Sequence, residues 1–342
     1  MAYQQVGTPI FYVNMIEWLV SNKAISLPIN TSTGQPATEF LTLPVKPVPT
    51  YSHTIGDTTG MGWTENGFVA TLGHTMKSQG DHKLVASNNS TQLDNAITPV
   101  VNCDGYGEPD FDGFTIYTTT EFIDGIDNIW VTSDNVTIVG SIILGTYYEM
   151  PHSPDLNLSL SYDYGGIKEI TTRGGASLSN SFYSKPPMWG DLPAWELWSS
   201  VPASYTGAKA NAALSHSGRK VWDLSFSYLD DGDVFGSNQS LAGGLANEGN
   251  VWGNNLGQGY DTNDVQSAGD SYPGFFNYNI LSDDNFYSQV IHKTNGGQLP
   301  FIFQPNKDDN TNFAICKIDS GFSFEQVANG VYNVKMKIRE VW

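Results

Sequence analysis

The 342 residues carry 35 Asp+Glu against 16 Lys+Arg, a formal net charge of -19, with 39% hydrophobic and only 15% charged residues. That apolar content can bury a sizeable core and excludes a disordered chain. The longest basic concentration is Lys335, Lys337 and Arg339, spaced two apart, and this scarcity of clustered cations argues against a surface that tracks nucleic-acid phosphates or an anionic membrane.

The start, Met1-Ala2-Tyr3-Gln4-Gln5, lacks the basic and apolar regions of a signal peptide, and no stretch has the roughly 18 apolar residues of a membrane span. The expectation is a chain made in a cytoplasm that stays soluble there or leaves by assembly or lysis, with no membrane insertion. Ile10 to Val13 reads as a short strand. Asn14 with Glu17 three residues on has the form of a capping box, and Met15, Ile16, Leu19 and Val20 share a helical face. This predicts one short helix over roughly 15–22. Pro28, Pro36, Pro44, Pro47 and Pro49 break any longer one, so 25–100 reads as loops and short extended pieces.

From there the pattern is β. Ile138 to Leu144, interrupted by Gly140 and Ser141, suits a strand buried on both sides. Leu156, Leu158 and Leu160 alternate with polar residues, as do Trp222, Leu224, Phe226 and Tyr228, and then Tyr332, Val334, Met336 and Ile338. Period two puts one set in a core and the other in water, which predicts antiparallel sheets. Turn signals lie at Asp163–Gly166, Asp230–Asp233 and Asn295–Gly297. Residues 236–273 read as a long Gly/Asn/Ser/Asp-rich loop, of a length that suits a functional or a contact element. The expected fold is mainly β: a β-sandwich or jelly roll of antiparallel sheets over 101–342, behind an N-terminal segment 1–100 that holds the short helix and extended loops.

Catalytic motifs are missing. There is no G-x-S-x-G elbow, phosphate-binding G-x-x-x-x-G-K-[ST] loop or H-E-x-x-H helix, and Gly249–Gly253 does not match G-x-G-x-x-G. His53, His74, His82, His152, His216 and His292 show no metal-ligand spacing. Asp110, Asp112, Glu121, Glu149 and Glu196 are acids near aromatics, and glycoside hydrolysis would need two of them across a cleft; solvated turn carboxylates are the commoner case. Asp104, Glu108, Asp110 and Asp112 offer the oxygen ligands that suit Ca²⁺, but the EF-hand pattern is not met. Cys103 and Cys316 are either two free thiols or one bridge. Trp189, Trp195 and Trp198, in a Pro-broken stretch, and Trp252 are candidate interface or ligand aromatics; plugging the ends of the sandwich is the plainer alternative.

Three stretches carry a resemblance. They are Tyr147–Lys168, Arg219–Tyr228, and Pro300-Phe301-Ile302-Phe303-Gln304-Pro305 through to the terminal Tyr332–Trp342. Together they resemble virion structural proteins of marine and freshwater tailed bacteriophages. The resemblance covers roughly the last two hundred residues and holds no catalytic motif. It implies a non-enzymatic tail or baseplate component, distal-tail-like, whose partners are further copies of itself and other virion proteins. A tail-tip protein that binds a host-surface glycan and a capsid decoration protein are the alternatives. Neither a cofactor nor a catalytic residue is expected.

Overall fold

A computed structural model describes residues 6–24, 26–27, 34–42, 48–56, 66–74, 82–87, 95–96, 99–101, 113–119, 128–139, 141–155, 159–163, 168–180, 219–234, 284–309 and 312–341. In chain order the elements are β1 (Ile10–Asn14), α1 (Met15–Ser21), a 3₁₀ turn (Thr38–Phe40), β2 (Val48–Gly56), β3 (Gly67–His74), β4 (His82–Ser87), β5 (Asn95–Ala96), β6 (Pro99–Val101), β7 (Gly113–Thr119), β8 (Asn128–Val139), β9 (Ser141–Glu149), β10 (Ser159–Asp163), β11 (Lys168–Thr171), β12 (Ser177–Asn180), β13 (Arg219–Asp230), α2 (Asp231–Val234), a π-helix (Tyr287–His292), β14 (Phe301–Gln304), β15 (Ala314–Ala328) and β16 (Val331–Glu340).

The protein is mainly β. Ten strands form one antiparallel sheet in the order β10-β13-β16-β15-β14-β1-β9-β3-β7-β6, beside a four-stranded sheet β2-β8-β4-β5 and the β11-β12 hairpin. β1 and β3, from before residue 100, and β9 and β13 to β16, from after it, are hydrogen-bonded into that same sheet.

The middle of the large sheet is buried on both faces. In β1, Phe11 and Val13 join a core with Trp222, Phe226, Phe301, Phe303, Val334 and Ile338, over which Phe286, Val290 and Ile291 of the π-helix segment pack. Ile10 and Tyr12 point the other way, into a second core with Phe68, Leu72, Ile116, Ile143, Ile302 and Ile315. Aromatic contacts knit the first core: Phe11 meets Phe286 edge-on at 5.6 Å, and Trp222 meets Phe303 edge-on at 5.3 Å.

Several sequence expectations are borne out. Helix α1 begins where Asn14 caps it, the Glu17 N–H donating to Asn14 Oδ1 at 3.2 Å. In β16, Val334, Met336 and Ile338 are buried, and in β13 Trp222, Leu224 and Phe226 are. The turn at Asn295–Gly297 is present, all three residues having positive φ.

Others need correction. The capping box closes on one side only: Glu17 Oε2 accepts from the Asn14 side chain at 3.4 Å and from the Thr42 N–H at 3.1 Å, so the carboxylate ties the 3₁₀ segment to the helix. The Ile138–Leu144 run is not one strand. It divides at Gly140 between β8, in the small sheet, and β9, in the large one. Within 25–100, expected to hold loops and short extended pieces, β3 is a full strand that pairs on both sides, with β7 and β9, deep in the large sheet. Tyr228 does not continue the buried side of β13; a bulge between Phe226 and Leu229 turns it outward and gives its core position to Leu229. Asp231–Val234 forms α2 instead of a plain turn, and the π-helix adds helical content beyond α1. Leu156 and Leu158, residues 185–198 and the 236–273 loop lie outside the described residues.

Asn14 is the local keystone of the β1–α1 corner. Besides capping, its side chain donates to the Phe40 carbonyl and to Thr42 Oγ1, each at 3.0 Å, and the residue is buried. Asn14→Ala removes the cap together with the buried bonds to Phe40 and Thr42, a loss of about 2 kcal/mol. Urea unfolding should show the midpoint fall with an unchanged slope.

Candidate functional site

Two arrangements of polar side chains stand out, one sealed and one open. The sealed one is built on the π-helix. Lys293, just past its last residue, is 1% exposed. Its Nζ donates to Gln289 Oε1 at 2.6 Å and to Thr146 Oγ1 of β9 at 3.4 Å, while the Thr146 hydroxyl donates to the same Gln289 oxygen at 3.2 Å. Burial pushes the Lys293 ammonium down to about 8, the Asp284 carboxylate opposing in part. Next to it the His292 ring meets Trp18 of α1 edge-on at 5.4 Å, and burial lowers the His292 imidazole, helped by the Lys293 charge. A π-turn and a buried amine are features of functional sites in general. Here the amine is enclosed by its own acceptors and out of reach of a substrate, which makes it a structural cation.

The open arrangement is the outer side of β10-β13-β16-β15, opposite the first core. Register puts Asp223 beside Lys337, Ser225 beside Lys335 and Val221 beside Arg339 across β13–β16, and Lys317 beside Arg339 across β15–β16. The charges fall in columns along the strands. Acids lie on β10 (Asp163) and β13 (Asp223, Asp230), bases on β16 (Lys335, Lys337, Arg339), and mainly acids on β15 (Asp319, Glu325); Arg219 on β13, opposite Asp163, and Lys317 on β15 are the exceptions. Arg339 bridges two columns, Nη2 lying 3.1 Å from Asp319 and Nη1 3.6 Å from Asp163, and Lys337 lies 3.7 Å from Asp319. Each such exposed pair is worth at most about 1 kcal/mol, so fold stability does not account for the pattern. At one end of this face Tyr228 is 82% exposed with φ +63°, and Val327, two strands away at the same end, is 49% exposed.

No family model, curated protein or solved structure matches the chain. The residues themselves therefore carry the reading.

Of the aromatics singled out in the sequence, Trp189, Trp195, Trp198 and Trp252 all lie outside the described residues, as do Cys103, Glu196 and the calcium-type acids Asp104, Glu108, Asp110 and Asp112. Among the described residues no group of three His, Cys, Asp or Glu could hold a metal ion, and no helix is long and apolar enough to cross a membrane. Glu149 is a surface acid ion-paired with Lys307 at 2.5 Å. Cys316 is a free thiol in the first core, which burial pushes well up. His152 is partly buried, its ring 6.2 Å from that of Phe226.

Sequence reasoning missed Lys293, Gln289 and Thr146, which come together only in the fold. It noticed the Lys335–Lys337–Arg339 spacing as a basic concentration but not the acid columns on either side. Nothing in the composition of Ser225–Leu229 signals the bulge that displays Tyr228.

Proposed function

We propose that the chain is a non-enzymatic structural subunit of a tailed-phage virion, in the tail or baseplate and distal-tail-like, that works by symmetric self-association on a β-sandwich or jelly-roll scaffold. The observation that carries this reading is the two-sided character of β13-β16-β15. One side is sealed by a continuous apolar core, and the other is an open face of ordered charge with an aromatic at its end. A strand layer of this kind keeps its fold without a partner and still offers a patterned contact surface. The stretches that resemble virion proteins fall on β10, β13, β14, β15 and β16, adjacent strands that include this layer, and on the end of β9. The sandwich element of the proposal is supported by the burial of both faces of β1, β9 and β14, each of which needs a covering layer.

Purified protein imaged in negative stain is expected to show closed symmetric oligomers of fixed order, and mass spectrometry of purified particles should find the chain at a constant copy number. A protein that stays monomeric at micromolar concentration and is absent from particles would sink the reading. Host-glycan binding without particle incorporation would replace it with the glycan-binding alternative.

A further inference from the structure

The geometry points to the outer face of β10-β13-β16-β15 as the contact surface for a second copy of this chain, with Tyr228 as its anchor. This rests on the self-association reading and adds to it the face and the pairing.

Tyr228 supplies the first observation. A bulky aromatic with φ +63° is a backbone outlier, because a Cβ in the left-handed region crowds the neighbouring carbonyl. The bulge that creates it inserts one residue between Phe226 and Leu229, both of which stay on the core side. Glycine would fill that position without strain. The fold therefore gains nothing from a tyrosine there, and the ring is left 82% exposed. Strain kept at a position where a better-fitting residue exists marks a contact role, and exposed aromatics are the usual anchors of interfaces.

The charge columns supply the second observation, and they identify the occupant. Arg219, Lys317, Lys335, Lys337 and Arg339 share these four strands with Asp163, Asp223, Asp230, Asp319 and Glu325, so the charges of the face cancel in a chain of net charge -19. Elsewhere two copies repel one another; here they do not. A uniformly acidic or basic partner gains nothing from a face that sums to zero. A copy carrying the same columns does, because acid and base columns lie one strand, about 4.8 Å, apart. A two-fold related copy shifted by one strand sets its β16 bases against the β13 acids of the first, and the reverse, which is the self-complementarity an isologous contact requires.

The test is sedimentation of the full chain, wild type and variants, across a salt series. Wild-type association should weaken as salt rises. Tyr228→Gly should weaken association at least tenfold while melting at or above the wild-type temperature, which separates loss of contact from loss of fold. Lys337→Glu and Asp223→Lys should each impair association alone, and an equimolar mixture of the two variants should restore it, because each then meets the opposite charge across the interface. A misfolded variant could not give that rescue. If the wild type associates and these variants associate equally well, or the mixture fails to recover, the face is the wrong one while the self-association reading stands. A wild type that is monomeric at every salt concentration overturns both.

Discussion

Gly145→Ala is expected to destabilise the fold by at least about 3 kcal/mol, with a strong fall in the urea midpoint of the purified chain. Gly145 lies in β9, paired with Asn14 on one side and Phe68 on the other. A Cβ there would overlap the carbonyl oxygen of Val13 and come within 2.9 Å of the Met15 backbone nitrogen. These are the atoms where β1 ends and α1 begins, so the missing side chain is what lets the strand-to-helix corner lie against β9. The obstacle is backbone on a central strand, which cannot move aside as a flexible side chain would, and the cost falls at or above the upper end for overpacked cores. Gly174→Ala, with open space around the added carbon, is the control and should stay within about 0.5 kcal/mol of wild type. A cost below 1 kcal/mol at Gly145 would mean that the corner is not seated on β9.

The same corner shows which parts of the fold the sequence makes legible. Asn14 and Glu17 are three residues apart, so the cap could be read locally. The other half of Glu17's role depends on Thr42, brought in by the chain beyond α1, and no local pattern reports it. Strand reading followed the same division. β13 and β16 alternate because one of their faces is wet, and alternation is the signal that period-two analysis detects. β1, β3, β9 and β14 are buried on both faces, so Ile10–Val13, Phe68–Leu72 and Phe301–Phe303 read as short apolar runs with no phase. For β3, a run among prolines and glycines reads as no more than one of the short extended pieces of 25–100. At Tyr228 the alternation was misleading: tyrosine suits a strand in either orientation, and the residue that would announce a left-handed turn, glycine, is absent. Such a residue is present at Asn329-Gly330 between β15 and β16, where Gly330 takes φ +72° in the turn.

The candidate site was legible only as far as its residues are close in sequence. Lys335, Lys337 and Arg339 share a strand and announced themselves. Asp163, Asp223 and Asp319 come from three other strands, and only the sheet order brings them alongside. The sealed site was invisible for the same reason. Ile291-His292-Lys293-Thr294-Asn295 looks like the polar end of a surface element, and its burial depends on Thr146, 147 positions earlier.

Lys293 carries the second large effect, and its sign is the reverse of an ordinary deletion. Its native ammonium titrates near 8 against an ordinary value of 10.5, so the fold prefers the neutral amine. The unfolded chain binds the proton more tightly throughout this range. Stability from this group is complete only above about 10.5 and is lost as the pH falls through 8, leaving a penalty at neutral pH of roughly 3 kcal/mol. Lys293→Met keeps the length and removes the charge, and Gln289 and Thr146 still satisfy each other through the hydroxyl bond. The variant is therefore expected to be about 2–3 kcal/mol more stable than wild type at pH 7, with the difference shrinking steadily between pH 8 and 10.5. Cys316 acts oppositely in the same range: its thiol is pushed up by burial, so its contribution is present at neutral pH and is lost in alkali. Either chain alone would blend the two slopes. The difference between wild type and variant removes Cys316, which both share, and isolates the lysine. Thermal or urea unfolding of the pair at pH 7, 8.5 and 10 measures it. A gap that fails to narrow with rising pH would mean that Lys293 is not held as a buried cation between β9 and the π-helix.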